Sequence, residues 1–197
     1  LFGGHGSGET ELVLPAGSQR VLADVVSFLR DAGVGIPSAP PQGGALFVSF
    51  EGVPTDSDVY AGVRTSTRNP DAEQGGTFGV FSPAVPPAAL ATSSARVVGL
   101  RQDASVRSNL AVVNAGESPV TLSVSLRSPR DGSQLIEPLE RTLAPGEWYQ
   151  WSGILAAGGE PEAWAIVTRV SGDAPWLAYG VLNDARTSDG TYVVHSR

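Results

Sequence analysis

Residues 119–128, PVTLSVSLRS, decide the fold. Val120, Leu122, Val124 and Leu126 alternate strictly with Thr121, Ser123 and Ser125. In a β-strand successive side chains point to opposite faces, so this period of two puts four aliphatic groups on one side and hydroxyls on the other. A helix would scatter the same residues around its whole circumference. The stretch is a half-buried strand of an antiparallel sheet with one wet face.

Its flanks repeat the pattern. Upstream, RVVGLRQ and RSNLAVVN read as strands, and Ala115-Gly116 marks the turn before Pro119. Downstream, Pro129-Arg130-Asp131-Gly132 is a strong turn signal. SQLIEPLERTLAPGEWYQW follows, interrupted by Pro138 and by the turn Ala144-Pro145-Gly146. AWAIVTRVSG and WLAYGVLND flank a Gly-Asp-Ala-Pro turn, and GTYVVHS closes the chain. Short strands at frequent turns imply a β-sandwich.

The composition agrees. Gly 24 and Pro 15 in 197 residues are well above average usage, and they lie between apolar runs rather than in one block. Charged residues make up only 17% of the chain, and all 13 basic residues are Arg. A net charge of −7 argues against nucleic acid as a partner, because no basic stripe exists to displace counterions. No apolar run is long enough to span a bilayer. Cys 0 excludes disulfides and thiolate metal sites, and it fits exported bacterial proteins that do without bridges. Met 0 and a start at Leu1 suggest a processed or excised piece, from which something upstream was removed.

The first half is less regular. Residues 1–10, LFGGHGSGET, are rich in glycine, and ELVLPAG reads as a strand ending in a turn. SQRVLADVVSFLRDAGVGIP is the one helix expected: Ser18 as N-cap, Val21, Leu22, Val25 and Leu29 on one face, Gly33 past the end and Pro37 beyond. Asp24 and Asp31 stand on its polar face with Arg20 and Arg30, which favours packing on a sandwich over lying in a membrane surface. Residues 44–52, 58–68 and 76–81 read as further strands. Residues 83–96 are Pro/Ala/Ser-rich and read as a semi-extended connection.

The two halves correspond. LVLPAGSQRVLADVVSFL is similar to RTLAPGEWYQWSGIL, and LFVSFEGVPTDSDVYAGV to AIVTRVSGDAPWLAYGV. Gly62-Val63 then matches Gly180-Val181, and Gly76-Thr77-Phe78 matches Gly190-Thr191-Tyr192. Four matches in one order indicate a duplicated β-module whose loops have drifted in length. The second copy has strands at 97–102, 107–114 and 119–128 ahead of its RTLAPG landmark, and residues 1–10 hold no counterparts of them. The expectation is that the first module is completed by strands from another subunit or a cleaved fragment, pairing near residues 10–14 or 44–50.

GLRQDASVRSNLAVVNAGESPVTLSVSL, LAPGEWYQWSGIL and AYGVLNDARTSDGTYV together resemble uncharacterised tandem repeats of large secreted or surface proteins of environmental bacteria. Those repeats are Ig-like, in the broad manner of cell-adhesion modules. The resemblance implies an exported β-sandwich that spaces, displays or adheres, and it brings no catalytic residues with it.

Candidate chemistry is sparse. GGHGSGET has Gly3 and Gly8 at phosphate-loop spacing, but Glu9 stands where a lysine must be, and a strand rather than a helix follows. His195 with Asp184, Asp189 and a serine makes a conceivable triad, yet no G-x-S-x-G turn exposes a nucleophile. His5 lies in the glycine-rich opening, and two His without Cys do not make a zinc site. Asn183, Asp184, Ser188 and Asp189 offer hard oxygen ligands for calcium, without EF-hand spacing and with Arg186 among them. No carboxylate pair stands out for glycoside hydrolysis. Trp148, Trp151, Trp164 and Trp176 all fall in the second half and raise sugar stacking, but Trp148 and Trp151 differ in parity. Core packing is expected for Trp164 and Trp176.

The expected architecture is all-β: two tandem Ig-like antiparallel sandwiches at 1–82 and 97–197, joined by 83–96, with one short helix in the first. The expected function is non-enzymatic, an extracellular or cell-surface structural or adhesive module with no catalytic, cofactor-binding or metal residues. Protein strands are the expected partner and a glycan a further one, with no nucleic acid and no membrane span. A carbohydrate-binding module of a secreted hydrolase is the alternative.

Overall fold

The computed structural model describes residues 7–36, 43–54, 58–69, 73, 75–156, 158–187 and 189–196. Gly3, His5, Pro37 and Ser188 lie outside them. The chain forms two compact units, Leu1–Leu46 and Phe47–Arg197.

Among the described residues, the second unit carries all the strands. β1 (Gly62–Arg68) and β2 (Thr77–Pro83) form an antiparallel hairpin. β3 (Ser94–Arg101), β4 (Val106–Asn114), β5 (Val120–Arg127), β6 (Leu139–Leu143), β7 (Trp148–Trp151), β8 (Glu162–Ser171), β9 (Trp176–Asp184) and β10 (Gly190–Val194) follow. They build two four-stranded antiparallel sheets, ordered β10-β9-β4-β7 and β3-β8-β5-β6. This is the expected all-β sandwich class. Its wiring is its own: β3 lies beside β8 and β9 beside β4, whereas an immunoglobulin constant domain places its first strand beside its second. Ser196 closes one corner, exchanging two backbone hydrogen bonds with Arg96 of β3, at 2.7 and 2.8 Å.

The alternation of β5 does what the sequence requires. Val120, Leu122, Val124 and Leu126 are all sealed in the core, and the intervening residues face out half-exposed. Val97 and Leu100 of β3, Leu110 and Val112 of β4, Leu143 of β6, and Trp176 and Ala178 of β9 join them. β3 bulges between Val97 and Leu100, where Gly99 at φ 75° takes a left-handed conformation that a side chain would resist. At the far end of β4, the buried Asn114 is fully satisfied. Its amide donates to the Ser118 and Leu143 carbonyls at 2.8 and 3.1 Å, and its Oδ1 accepts from Gly116 N at 2.9 Å.

The domain boundary differs from the expected one. The division falls between residues 46 and 47, because the β1–β2 hairpin packs on β10 and so belongs with the sandwich. Nor are residues 83–96 a free connection. Ala91 forms a β-bridge with Trp176, Ser94–Arg96 begin β3, and Ala91 and Ala95 are both buried. Alanine there is a small core residue rather than linker.

Among the described residues of 1–82, β1 and β2 are the only strands, so these residues alone do not close a second sandwich. Residues 11–17 and 44–52, expected as strands, carry none. In the first unit the helix is shorter than the expected 18–32. α1 spans Val25–Asp31 and starts from Asp24, whose carboxylate accepts from Ser27 N at 3.0 Å and from Ser27 Oγ at 2.7 Å. Ser18 is not the cap; its hydroxyl donates to the Pro15 carbonyl in a preceding turn. Gly33, at φ 88°, ends the helix as expected. Its N–H reaches Arg30 O and that of Val34 reaches Leu29 O, the two bonds of a Schellman motif. The buried residues here are Val34 and Ile36, with Val34 packed against Gly8, while Val21 is exposed and Val25 only half-buried.

Candidate interaction surface

The polar candidates near the C-terminus are not brought together. His195 is buried where β10 ends. Its Nδ1 lies 3.0 Å from the Ala178 carbonyl oxygen and 3.3 Å from the Ala178 amide nitrogen, and its ring sits 6.1 Å from Trp176. Asp184 stands six residues further along β9, roughly 20 Å away at strand rise. The triad geometry is therefore absent.

The loop after β9 is organised by its own carboxylates. Asp184 Oδ1 accepts from Arg186 N, Thr187 N and Thr187 Oγ1 at 3.0, 2.7 and 2.8 Å. Those bonds, the one from the Thr187 backbone foremost, lower its pKa below the usual carboxylate value. Asp189 reaches a different element: its Oδ1 accepts from Gly79 N in β2 at 3.0 Å. Both carboxylates serve the fold, and among the described residues no cluster of three or more His, Cys, Asp or Glu is placed to hold a metal ion.

The tryptophans separate by parity. Trp176 is fully buried, and Trp151 packs with Tyr149 against the core, their rings edge to face at 4.9 Å. Trp164, expected in the core, instead alternates with buried Ala163 and Ala165 and lines a shallow surface groove with Val98, Arg101 and Glu162. Trp148 points away from the core. Its Nε1 donates to Tyr179 Oη at 2.7 Å, and the Tyr179 ring lies 5.0 Å from that of Tyr192. Burial raises the pKa of both phenols, that of Tyr192 to about 12. Reading the sequence for tryptophan alone missed the two tyrosines. The signal was present in β9, where Tyr179 shares a parity with Leu177 and Val181, opposite to that of buried Trp176 and Ala178.

The larger feature is unpaired strand and bare apolar surface. Every residue of β1 is exposed, and β2 is its one strand neighbour among the described residues. Arg64 is held on the β2 side, donating to Thr77 Oγ1 and Thr77 O at 2.9 and 3.2 Å. Leu46, Phe47 and Val48 are 52%, 57% and 51% exposed, with Phe50, Val59, Tyr60 and Phe81 also bare. In the first unit Leu12, Val13 and Leu14 are likewise exposed. Natural edge strands are blunted by bulges, prolines or charged side chains; β1 has no bulge and no proline, and its charges are Arg64 and Arg68.

No family model, curated protein or solved structure matches the chain. Among the described residues, no helix is long and apolar enough to cross a membrane.

Proposed function

We propose that the chain is a non-enzymatic structural or adhesive module of an exported surface assembly, whose N-terminal part is completed by strands from another chain or a cleaved fragment. One observation carries the reading: the apolar run at residues 46–50 and the open side of β1 are exposed together in one chain. Large apolar residues left in water and an unpaired strand edge are the features of a β-augmentation acceptor. The cysteine-free composition and the resemblance to tandem surface repeats support export. The intact mass of the native assembly tests the reading. It predicts a second polypeptide bound to the 20.3 kDa chain. A lone chain that resists aggregation with residues 46–50 shielded would contradict it.

The outward aromatic group of Trp148, Tyr179 and Tyr192 favours a second reading, carbohydrate binding by stacking of sugar rings. Oligosaccharide titration followed by tryptophan fluorescence tests it: saturable quenching that Trp148→Ala abolishes supports it, and a flat response removes it.

A further inference from the structure

The hydrogen bonds of the hairpin show which backbone groups of β1 are free. Asn69 N donates to Gly76 O at 3.1 Å at one end, and Ala84 N donates to Ala61 O at 3.0 Å at the other. The register between them is unbroken, from Gly62 opposite Pro83 to Arg68 opposite Thr77. Bonded pairs alternate along an antiparallel ladder, so the odd-numbered residues turn their backbone groups to β2. Gly62, Arg64, Ser66 and Arg68 turn theirs to the open side, where no backbone partner meets them among the described residues. The side chains of these four share one face of β1, and both charges of the strand, Arg64 and Arg68, stand on it.

The chain also carries a segment of complementary pattern. Residues 9–13, Glu-Thr-Glu-Leu-Val, are all exposed and form no strand, and none of their backbone groups is hydrogen-bonded among the described residues. Resting on the reading above, we infer that residues 9–13 of a second copy of this chain add to the open edge of β1 as an antiparallel strand. One register satisfies charge, polarity and backbone together. It sets Glu11 opposite Arg64, and Glu9 opposite Ser66 with Arg64 and Arg68 as diagonal neighbours. Thr10 then meets Thr65, Leu12 meets Val63 and Val13 meets Gly62, while Pro15, with no N–H to give, falls beyond the end of β1. A slip of one residue moves both acids to the face of Val63. A slip of two either brings Pro15 onto Gly62 or sets Thr10 against Val63. Residues 44–50, a second exposed apolar segment, carry no charge to meet the arginines. The occupant is another copy because β1 pairs with β2 alone and residues 9–13 stay unpaired, so each copy holds both halves of the contact. Mutual exchange closes a two-fold dimer.

The absence of cysteine makes the register directly testable. Leu12 and Val63 are 46% and 39% exposed, so cysteine at either leaves the core intact. Chains carrying Leu12→Cys are mixed under mild oxidant with chains carrying Val63→Cys, or with chains carrying Thr67→Cys, and the linked peptides are read by mass spectrometry. Opposed residues of a pair that is not hydrogen-bonded have Cα atoms about 4.5 Å apart, within disulfide reach. Position 67 lies four residues, roughly 13 Å, further along the strand and out of reach. The link between positions 12 and 63 should form at least about tenfold faster than that between 12 and 67. Equal rates overturn the register, and a faster link between 12 and 67 overturns the strand direction. The chain carrying both Leu12→Cys and Val63→Cys identifies the occupant. A covalent dimer supports exchange between copies, whereas a covalently closed monomer overturns the second copy and makes the chain's own residues 9–13 the occupant. If no link between 12 and 63 forms but the native assembly still holds a second polypeptide, this inference fails while the broader reading stands. If the native assembly is a single chain, both fail.

Discussion

Gly190 opens β10 directly against Val80 of β2: a Cβ added to the glycine would lie 2.9 Å from the valine Cβ. With the Asp189–Gly79 hydrogen bond beside it, this contact seats the β1–β2 hairpin on the sandwich. Gly190→Val should therefore unseat the hairpin while leaving the sandwich folded. Overpacking costs about 1–3 kcal/mol, so amide exchange in β1 and β2 should rise about fivefold to a hundredfold, with exchange in β4 and β5 unchanged. Unchanged exchange in the hairpin would show that the contact does not hold it.

Asn114 joins the ends of β4 and β6 through three hydrogen bonds made in a fully buried position. Asn114→Ala removes all three and leaves two carbonyls and an amide to find other partners. At about 1 kcal/mol for each bond, a loss of about 2–4 kcal/mol is expected in urea unfolding of the sandwich. A change below about 0.5 kcal/mol would mean that water replaces the side chain without penalty.

The pH dependence has a definite sign on the alkaline side. Burial raises the phenol of Tyr192 from 10.0 to about 12 and raises that of Tyr179 as well. The folded state thus holds protons that the unfolded state has already released. The stability this contributes is complete below pH 10 and is lost as pH climbs toward 12. Tm should fall across that window, and absorbance of ionised tyrosine should show Tyr179 and Tyr192 titrating above the usual phenol range. Removing the indole donor with Trp148→Phe should move Tyr179 higher still, since the Trp148 hydrogen bond opposes the effect of burial. Tyr179 and Tyr192 titrating near the ordinary phenol value would contradict this placement.

The sandwich was legible because its strands alternate and its turns are marked. Val120 to Leu126 and the Pro129–Gly132 turn declare themselves from side-chain type alone. Residues 44–52 alternate just as well, yet form no strand, because alternation reports a fitting face and not the presence of a neighbour to pair with. The helix start was misplaced for a local reason. Ser18 and Asp24 are both acceptable caps, and the choice went to the residue with a serine three positions on to bind. Ala91 and Ala95 were read as linker because composition cannot tell a small residue that fills a core from one that frees a chain. Of the candidate surface, the open side of β1 was not legible, since the sequence pointed to residues 10–14 and 44–50 as the pairing segments. Nor was the Trp148–Tyr179–Tyr192 group, since it depends on the register of three strands in one sheet.

Hydrogen exchange on residues 1–197, read segment by segment, tests most directly the claim that the first half lacks strand partners. Amides of β4 and β5 should exchange roughly a thousandfold or more slowly than unstructured chain, as paired strands of a sandwich core do. Residues 44–50 should exchange at close to unprotected rates, and β1 should fall between the two because β2 alone pairs with it. Protection of residues 44–50 equal to that of β5 would contradict the account, because it would mean that this chain already supplies the strands the account places elsewhere.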